Sequence, residues 1–502
     1  MIENDPRRTA QARLQALQAL QQAGRLDEAV AGYREWLRSG DAAAVGPLAT
    51  VLLQMERDAE VAELLDSRVR EAPANGEWVV SLSIALRRLG RLDEALLHAK
   101  RGVELLPQAV PAWNALGVAL LETGRLEEAL AAFDAGLKAV PGHPALCLHR
   151  AMTLRRLGRN EEALPAFAQL VRAFPQAPEG WRGLADVQSA LGQVEPALRS
   201  RERACALAPN DPDIAFERAT TLMQAGRALE AARLIESLLQ VRGDRAHVWV
   251  VLARARLKLD DLAGAKVAFE RAHALDPDDA MVAHFHAALS GELPPTVETD
   301  YIRNLFDDFA DGFEHTLVEQ LAYDTPAQLA RLLQRLGADA ALRVLDLGCG
   351  TGLMAEQLAK PDRVIDGVDL SPRMLARARE KGLYRDLHAG ELIEFLAGAS
   401  ATWDLIVATD VFIYMPDPGA CFAPVFDRLS PGGWFGFSIE RSAGDDRELM
   451  PQTGRYRQSP TGMAGELAAR GFVDVVREPI VVRLESGKPV AGELIVARRP
   501  GS

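Results

Sequence analysis

Apolar and polar positions in the first 277 residues follow one pattern, which repeats with a period of 34 residues. Within each period the apolar residues recur at intervals of three and four, which predicts amphipathic helices. The period is marked by five glycines, each with an alanine five positions later: Gly90, Gly124, Gly158, Gly192 and Gly226. A fixed period of this length predicts stacked helical hairpins, because each hairpin can bury its apolar stripe only against its neighbours.

One unit, residues 111–141, shows how the pattern builds two helices. Trp113 and Leu120 fall on one helical face, and Gly124 ends that helix. Phe133 then lies on the facing stripe of the next helix, among small residues that let the two backbones approach closely. Neither helix can bury its stripe alone, so the unit needs neighbours.

These residues resemble the tetratricopeptide repeat (TPR) in their identity and order. The resemblance implies about eight repeats between residues 7 and 277, followed by a helix at 279–289 that closes the end of the array. A glycine and two prolines break the pattern at 291–295. We therefore expect an α-helical TPR solenoid over residues 1–291, which acts as a recognition scaffold.

A different pattern begins at Tyr301. A helical stripe of aromatic residues at 301–317 comes first, and short β-branched runs then alternate with helical segments. The runs that we interpret as strands are 343–347, 363–369, 403–409 and 433–440. Alternating strands and helices predict a parallel sheet with helices on both faces, so residues 292–502 should form an α/β domain.

Charge and cysteine content narrow the class of protein. A formal charge of −13 and a pI near 5.3 argue against nucleic acid or an anionic membrane surface as the default partner. The four cysteines include no CxxC pair, which predicts a reducing compartment and neither a structural metal site nor a disulfide framework. The chain has no apolar run of membrane-spanning length, and its first residues are too polar for a secretory signal. We expect a cytoplasmic protein.

The first strand of the α/β domain carries the candidate chemistry. Residues 343–352 read Arg-Val-Leu-Asp-Leu-Gly-Cys-Gly-Thr-Gly, an apolar strand that runs into a turn with Gly348, Gly350 and Gly352. Glycines let a ligand lie against the backbone, and the helix that starts here offers free N–H groups. The second strand ends in Asp369, whose carboxylate can accept both ribose hydroxyls of a nucleotide. The combination predicts a site for a nucleoside-bearing cofactor.

The glycine spacing separates two classes of such cofactors. A dinucleotide fingerprint has its third glycine three residues after the second, and that position is Leu353 here. Residues 346–352 instead resemble the first motif of class I S-adenosylmethionine-dependent methyltransferases. Three later motifs of that family are resembled, in the correct order, by residues 390–392, 408–415 and 429–434. The resemblance implies a Rossmann-like domain with a mostly parallel seven-stranded sheet, whose last antiparallel pair is 480–485 and 490–497.

The resemblance also implies roles for single residues. The acid of the first motif, Asp346, is expected at the methionine end of the cofactor, and Asp369 at its ribose. The adenine is expected to lie against Leu370, Met374, Glu391 and Leu392. The aromatic helix at 301–317 resembles the lid that closes over the cofactor, with Phe309 and Phe313 as contacts. Cys349 lies in the binding turn without a neighbouring base, so we expect a small packing residue rather than a nucleophile.

The acceptor is expected at the end of the fourth strand, beside Asp410 and Tyr414, as catalytic contacts or as walls of its pocket. His315 and His388 could accept a proton, although a lone histidine is more often a surface or core residue. A sulfonium methyl group is already activated, so alignment in a dry pocket can supply much of the catalysis. Residues 441–463 read as a polar loop that should face the acceptor.

The repeats supply a candidate groove for a partner. The positions that line this groove in the TPR family include, in this sequence, Arg87, Arg88, Asn114, Arg155, Arg156, Arg182 and Arg254. A row of cations in an acidic chain predicts a protein or peptide partner with acidic groups. The alternative is that these are solvated helix ends, where cations favour the helix dipole.

Three functions stay open for the whole chain. In the first, the repeats recruit a protein, a peptide or a carrier-bound intermediate, and the C-terminal domain methylates it. In the second, the enzyme acts on a small metabolite and the repeats only dock it to a complex. In the third, the chain is a scaffold whose methyltransferase domain has lost its activity.

Overall fold

The computed structural model describes residues 6–243, 245–294, 297, 299–310, 313–485 and 487–501, and it divides into two compact units between Arg227 and Ala228. The second unit therefore contains the last helices of the repeat pattern as well as the sheet. The domain boundary that the sequence predicts near residue 291 stays a prediction. No helix in the described ranges is both long and apolar enough to cross a membrane.

Helices at the predicted period fill the repeat region, and eight pairs are found in the described residues. Their bounds are α1 Pro6–Gln22, α2 Leu26–Arg38, α3 Val45–Gln54, α4 Asp58–Glu71, α5 Gly76–Arg88, α6 Leu92–Leu105, α7 Val110–Glu122, α8 Leu126–Ala139, α9 Pro144–Arg156, α10 Asn160–Ala173, α11 Pro178–Ala190, α12 Val194–Leu207, α13 Pro212–Gln224, α14 Ala228–Arg242, α15 Ala246–Lys258 and α16 Leu262–Leu275. The helix α17 follows at Ala280–Ser290, where the sequence predicts a capping helix. The predicted helical array is confirmed.

The repeated residues explain why these helices pair. Gly124 joins α7 to α8 with a φ of 75°, a left-handed conformation that glycine adopts without steric penalty. Asp260, which replaces the glycine in the last repeat, keeps a φ of 59°. A Cβ on Gly117 would overlap the ring of Phe133, which is fully buried. Small residues on one helix thus make room for aromatic rings on the next, as the pattern predicts.

The second unit contains a seven-stranded sheet in the order β3-β2-β1-β4-β5-β9-β8. Its strands are β1 Arg343–Leu347, β2 Val364–Asp369, β3 Asp386–Ala389, β4 Trp403–Ala408, β5 Leu429–Glu440, β8 Val473–Glu485 and β9 Lys488–Arg498, and a separate pair is β6 Glu448–Met450 with β7 Arg455–Arg457. Neighbours from β3 to β5 are parallel, and β9 pairs antiparallel with both β5 and β8. The predicted mostly parallel sheet is therefore confirmed.

Helices cover both faces of this sheet. They are α19 Thr325–Arg335, α20 Leu353–Leu358, α21 Pro372–Glu380, α22 Leu392–Gly398, α23 Phe422–Arg428 and α24 Pro460–Ala469. The helix α18 Thr299–Phe309 packs against α21, and a π-helical segment follows at His315–Gln320. Successive residues of β1 point to opposite faces, so Val344 packs in the cluster that contains Leu329 of α19, and Leu345 packs in the cluster that contains Phe422 of α23. Both clusters fix the carboxyl end of β1, where the glycine turn begins.

Two parts of the domain differ from the sequence prediction. The strand β3 was not among the predicted strands, and residues 441–463 are not simply a polar loop. They contain the hairpin of β6 and β7 and the start of α24. The two hairpin strands have three residues each, which is too short for an alternating pattern to show in the sequence. Residues 311 and 312 of the predicted aromatic helix lie outside the described residues.

Candidate cofactor and acceptor site

The glycine turn after β1 has the backbone shape that its sequence predicts. Gly348, Gly350 and Gly352 have φ values of 64°, 52° and 95°, all in the left-handed region. A Cβ on Gly348 would overlap Val411. A Cβ on Gly350 would come no closer than 3.9 Å to its nearest neighbour, the ring of Phe313. The turn is therefore fixed at Gly348 and uncrowded at Gly350, where a ligand can approach the backbone.

Asp346 lies below this turn, and a described residue donates a hydrogen bond to one of its two carboxylate oxygens but not to the other. The side chain is 1% exposed, and the Tyr384 hydroxyl donates a 2.7 Å hydrogen bond to its Oδ2. Its Oδ1 has no hydrogen-bond partner among the described atoms. Burial raises the pKa of Asp346 to about 7, against the opposing effect of Tyr384. A buried acceptor atom without a donor is the feature that a cationic or N–H-bearing ligand group would satisfy.

Tyr384 is a residue that the sequence prediction missed. It precedes β3 in the chain, outside the motifs that resemble the methyltransferase family. Its ring fills the space beside two glycines, since a Cβ on Gly352 would lie 3.1 Å from the ring and one on Gly367 would lie 2.9 Å from it. The glycine at 352 is thus needed for packing against Tyr384 as well as for its own positive φ.

Asp369 lies at the end of β2 and holds two backbone segments together. Its Oδ2 accepts a 2.9 Å hydrogen bond from the Gly350 amide, and its Oδ1 accepts a 2.8 Å bond from the Ser371 amide. Burial raises its pKa, which the two backbone donors oppose. Each carboxylate oxygen can accept a further hydrogen bond. Asp369 can therefore fix the turn and still receive a ribose, so its predicted role stays open.

The other predicted cofactor residues surround these two acids. Met374 is fully buried at the start of α21, where the Ser371 hydroxyl caps its amide at 3.0 Å. Glu391 caps α22 by accepting a 2.8 Å hydrogen bond from the amide of Glu394. Leu392 packs against the sheet core, and Leu370 is half-buried beside Asp369. These contacts are structural, and the predicted adenine contacts stay a prediction.

Cys349 lies within the turn and is 5% exposed. A Cβ on Gly367 would lie 2.9 Å from its sulfur. Burial raises the pKa of the thiol well above its usual range, with Asp346 and Asp369 adding to the effect. A thiol that stays protonated is a poor nucleophile, so these observations support the expected packing role.

The aromatic segment lies against both the turn and the acceptor side. The Phe306 ring contacts Tyr414 edge to face, with 5.1 Å between ring centroids, and Phe313 is the side chain nearest to Gly350. Asp307 of α18 accepts hydrogen bonds from the Ser371 hydroxyl at 2.5 Å and from the Arg373 amide at 3.3 Å. These bonds hold α18 beside the start of α21, next to Asp369.

Phe309 and Phe313, the two predicted lid contacts, pack against each other with 5.5 Å between ring centroids. The rings that approach the site itself belong to Phe306 and Phe313. The contact of Phe309 with the cofactor stays a prediction.

Asp410 is held in a buried network of charges. Its backbone has a φ of 56°, its amide donates a 2.8 Å hydrogen bond to Ser438, and its Oδ2 is 2.9 Å from a guanidinium nitrogen of Arg483. Arg483 is 3% exposed and also pairs with Glu440 and Glu485. Burial raises the pKa of Asp410, and Arg483 opposes this shift. Arg483 lies 73 residues from Asp410 in the chain, so no local pattern in the sequence predicts the pair.

Tyrosines border this network. Tyr414 lies in the turn that follows β4, and burial raises its pKa. Tyr323 is 8% exposed, and burial raises its pKa well above the usual range, with Asp410 adding to the effect. Of the two candidate histidines, His388 lies on the edge strand β3, where its ring packs on Phe395, and His315 begins the π-helical segment. No group of three or more His, Cys, Asp or Glu side chains in the described residues could hold a metal ion.

The predicted groove cations are mostly paired inside the repeats. Arg87 lies 2.5 Å from Glu122, one repeat further along, and Arg182 lies 2.5 Å from Glu217 in the same relation. Three more positions behave similarly: Arg88 with Asp58, Arg155 with Asp186, and Asn114 with His149. Arg156 and Arg254 form no ion pair with any described residue. The positive charge left for a partner is thus smaller than the sequence indicates.

Comparisons with known proteins match this division. A family model described as a methyltransferase domain matches residues 321–475, and two described as tetratricopeptide repeats match residues 80–144, 148–212 and 222–289. A ubiquinone biosynthesis O-methyltransferase of Aromatoleum aromaticum is 34% identical over 103 residues, 20% of this chain and 44% of that protein. A trans-aconitate 2-methyltransferase of Mycobacterium tuberculosis is 34% identical over 110 residues, 22% of this chain and 41% of that protein. The chain thus spans less than half the length of the curated relatives it matches.

Solved structures also match portions of this chain. The magnesium protoporphyrin IX methyltransferase of Synechocystis PCC 6803, solved with bound SAM, is 17% identical with a TM-score of 0.32, over 40% of this chain and 96% of that one. The Cut9-Hcn1 hetero-tetramer of APC/C is 14% identical with a TM-score of 0.44, over 57% of each chain. Residues 321–475 of this chain belong to the methyltransferase domain family, and the repeats at 80–144, 148–212 and 222–289 belong to the tetratricopeptide repeat family.

Proposed function

We propose that this chain transfers a methyl group from S-adenosylmethionine to an acceptor that binds at the carboxyl ends of β4 and β5. The observation that carries the proposal is Asp346, a fully buried carboxylate with one unpartnered oxygen beneath an uncrowded glycine turn. The amino group at the methionine end of the cofactor is the cation that would satisfy this oxygen. Among nucleoside cofactors, this feature favours S-adenosylmethionine over a dinucleotide.

The residues present fit the cofactor along its length. Asp346 would receive the amino group, the Gly350 amide region would lie against the ligand, and Asp369 would accept the ribose hydroxyls through its remaining lone pairs. Leu370 and the segment that begins at Glu391 would border the adenine. When bound, the cofactor supplies a sulfonium methyl group that needs no further activation.

The protein contributes positioning and exclusion of water. Phe306, Phe313 and Tyr414 form an aromatic wall between the glycine turn and the acceptor side, which can keep water from the reacting groups. Both carboxylate oxygens of Asp410 already accept hydrogen bonds within the protein, one from Ser438 and one from the buried Arg483, which ties this side chain to the scaffold. We therefore assign Asp410 to holding the wall of the acceptor pocket and Tyr414 to contact with the acceptor.

The repeats are proposed to recruit the acceptor, as a protein, a peptide or a carrier-bound intermediate. Arg156 and Arg254, which have no ion pair with a described residue, are the groove cations that a carboxylate could use without displacing an internal acid. A small-molecule acceptor is the second candidate, because both relatives named above are called after small-molecule pathways or substrates.

The four cysteines are free thiols, which supports the proposed cytoplasmic location.

Calorimetric titration with S-adenosylmethionine tests the cofactor assignment. We expect wild type to bind and Asp346→Asn to bind at least ~10-fold more weakly, since a charge-assisted hydrogen bond contributes roughly 1.5 kcal/mol or more. Asp386→Asn, an exposed carboxylate on β3, is the matched control and should bind as wild type does. Wild-type protein that binds neither the cofactor nor its demethylated product would leave only the scaffold function.

Incubation with methyl-labelled cofactor in a native lysate tests the acceptor class. Label is expected in the protein or carrier fraction if the repeats recruit the acceptor. Label confined to the small-molecule fraction would select the second candidate instead.

A further inference from the structure

The helix that follows the last repeat is joined directly to the hairpin beside the acceptor side. His284 of α17 is 6% exposed, and its Nε2–H donates a 2.7 Å hydrogen bond to the carbonyl of Gly454, between β6 and β7. The two residues are 170 positions apart in the chain. Both belong to the second compact unit, so this unit includes part of the repeat array as a packed component.

Aromatic rings fix this junction from several sides. The His284 ring lies 5.3 Å from Tyr301 of α18 and 6.1 Å from Tyr456 of β7, measured between centroids. Phe285 stacks on Phe269 of α16 at 5.3 Å, with 6° between the ring planes. The last repeat is thus linked through α17 to both α18 and the hairpin.

The backbone and the surroundings of Gly454 favour glycine in this arrangement. Its φ is 67°, and a Cβ there would lie 3.1 Å from both the His284 nitrogen and the Phe285 ring. A side chain at this position would adopt a strained backbone conformation and crowd the two rings of α17.

The residue after Gly454 connects the junction to the buried charges. The Nε of Arg455 lies 2.9 Å from Glu440, and Arg455 also pairs with Glu485. Both acids also pair with Arg483, which holds Asp410. A continuous series of contacts therefore runs from the end of the repeats to the wall of the acceptor pocket.

We propose that His284 is a positioning residue for the acceptor side: it holds the β6 and β7 hairpin and, through Arg455, sets the arrangement of the charges around Asp410. The last repeat is then a part of the enzyme and not only a docking arm. Burial raises the pKa of Tyr301 to about 12 against the opposing effects of Arg254 and Arg455, which agrees with a cation of α15 lying near this junction. The proposal rests on the proposed function in one respect, namely that the acceptor binds on the Asp410 side.

Hydrogen exchange of the full chain tests the junction without knowledge of the acceptor. In His284→Phe, which keeps a ring but removes the donor, we expect amides 454–458 to exchange at least ~10-fold faster, with exchange in α15 and α16 unchanged. His284→Gln places an amide N–H near the former Nε2 and should restore most of the protection. The matched control is His286→Phe, two positions away on the same helix, where the native ring stacks on His273 at 5.2 Å.

Transfer kinetics then separate positioning from simple support of the fold. With the lysate fraction that wild type labels as the acceptor, His284→Phe should raise the acceptor KM about tenfold and leave kcat and cofactor affinity within about twofold. If this variant does not fold, Gly454→Ala tests the same contact from the hairpin side.

Equal exchange in the two phenylalanine variants, or a fall in kcat and cofactor affinity that matches the change in KM, would overturn the proposal. Failure of the wild type to bind S-adenosylmethionine would instead remove the proposed function, while the exchange data would still decide whether His284 holds the hairpin.

Discussion

The cofactor side and the acceptor side of the site each hold a carboxylate with little exposure to solvent, and the two carboxylates differ in their hydrogen-bond partners. Asp346 has one oxygen on a tyrosine hydroxyl and one oxygen without a partner. Asp410 has one oxygen on Ser438 and the other on Arg483. A buried acceptor left without a donor costs roughly 1 to 3 kcal/mol, and a ligand that supplies the donor removes this cost. The comparison indicates that Asp346 awaits a ligand, whereas Asp410 is already part of the scaffold.

The pKa values follow from the same difference. Asp346 forms no ion pair with a described residue, and burial raises its pKa to about 7, so the carboxyl is partly protonated at neutral pH in the absence of ligand. Asp410 has Arg483 as a permanent cation, which opposes the effect of burial on its pKa. Asp346 can therefore ionise when a cationic ligand group binds, whereas Asp410 already pairs with Arg483.

The largest effect is expected from breaking the acceptor side. Arg483→Met removes the cation that Asp410, Glu440 and Glu485 share, and should lower the free energy of unfolding of the second unit by about 3 to 5 kcal/mol. Urea unfolding, with hydrogen exchange of β4 and β5 to assign the loss, measures it. Arg335→Met is the control, since Arg335 is 55% exposed and its one ion pair within the described ranges is with Glu478; its loss should stay below about 1 kcal/mol. Equal losses in the two variants would show that the buried charge network stabilises the fold no more than one exposed ion pair does.

The next largest effect is expected on the cofactor side. Asp369→Ala should weaken binding of S-adenosylmethionine by about 1.5 to 3 kcal/mol, because it removes the acceptor for the ribose and the bond that holds Gly350. Calorimetry gives the affinity, and circular dichroism checks that the helical repeats stay folded. Unchanged affinity would assign Asp369 to the turn alone.

These two sides also show what the sequence could and could not predict. The repeats and the glycine turn were readable because the residues that define them are close in the chain, as in the run from Asp346 to Gly352. Tyr384, Arg483 and His284 act on partners 38, 73 and 170 residues away, and no local pattern marks such pairs. The same holds for the groove of the repeats. The repeat period predicts which arginines line it, but it does not predict the acidic residue on another repeat with which each arginine pairs.

The Tyr384 contact gives a pH-dependent prediction that sharpens the comparison. The ionised form of Asp346 is the one that attracts a cationic ligand group, so wild-type affinity for the cofactor should rise as the pH passes through about 7. Tyr384→Phe removes a hydrogen bond that lowers this pKa, so the midpoint should move to higher pH. Affinity at pH 7 should fall by up to about tenfold, or ~1.4 kcal/mol, and recover at higher pH.

The stability of the ligand-free protein should change in the other direction. The folded pKa of Asp346 lies above the value of about 3.9 expected in the unfolded chain, so the folded state binds more protons between these values. Its contribution to stability is present at low pH and falls as the pH rises through about 7. Binding titrations of wild type and Tyr384→Phe from pH 6 to 9 measure the first trend, and urea unfolding of both proteins from pH 4 to 9 measures the second. An affinity that does not vary with pH in either protein would show that the Asp346 carboxylate does not bind the cofactor.

The smallest effect is expected in the repeats, where the cations are paired as on the acceptor side but lie near the surface. Arg87 and Glu122 are 21% and 39% exposed, and a partly exposed pair is worth about 0.2 to 1 kcal/mol. A double-mutant cycle with Arg87→Ala and Glu122→Ala should give a coupling energy in this range, which decreases in high salt. A partner carboxylate that binds Arg87 must displace Glu122 and gains only the difference, whereas one that binds Arg156 displaces no described acid. A coupling energy above about 2 kcal/mol would mean that Arg87 is committed to the array and unavailable to any acidic partner.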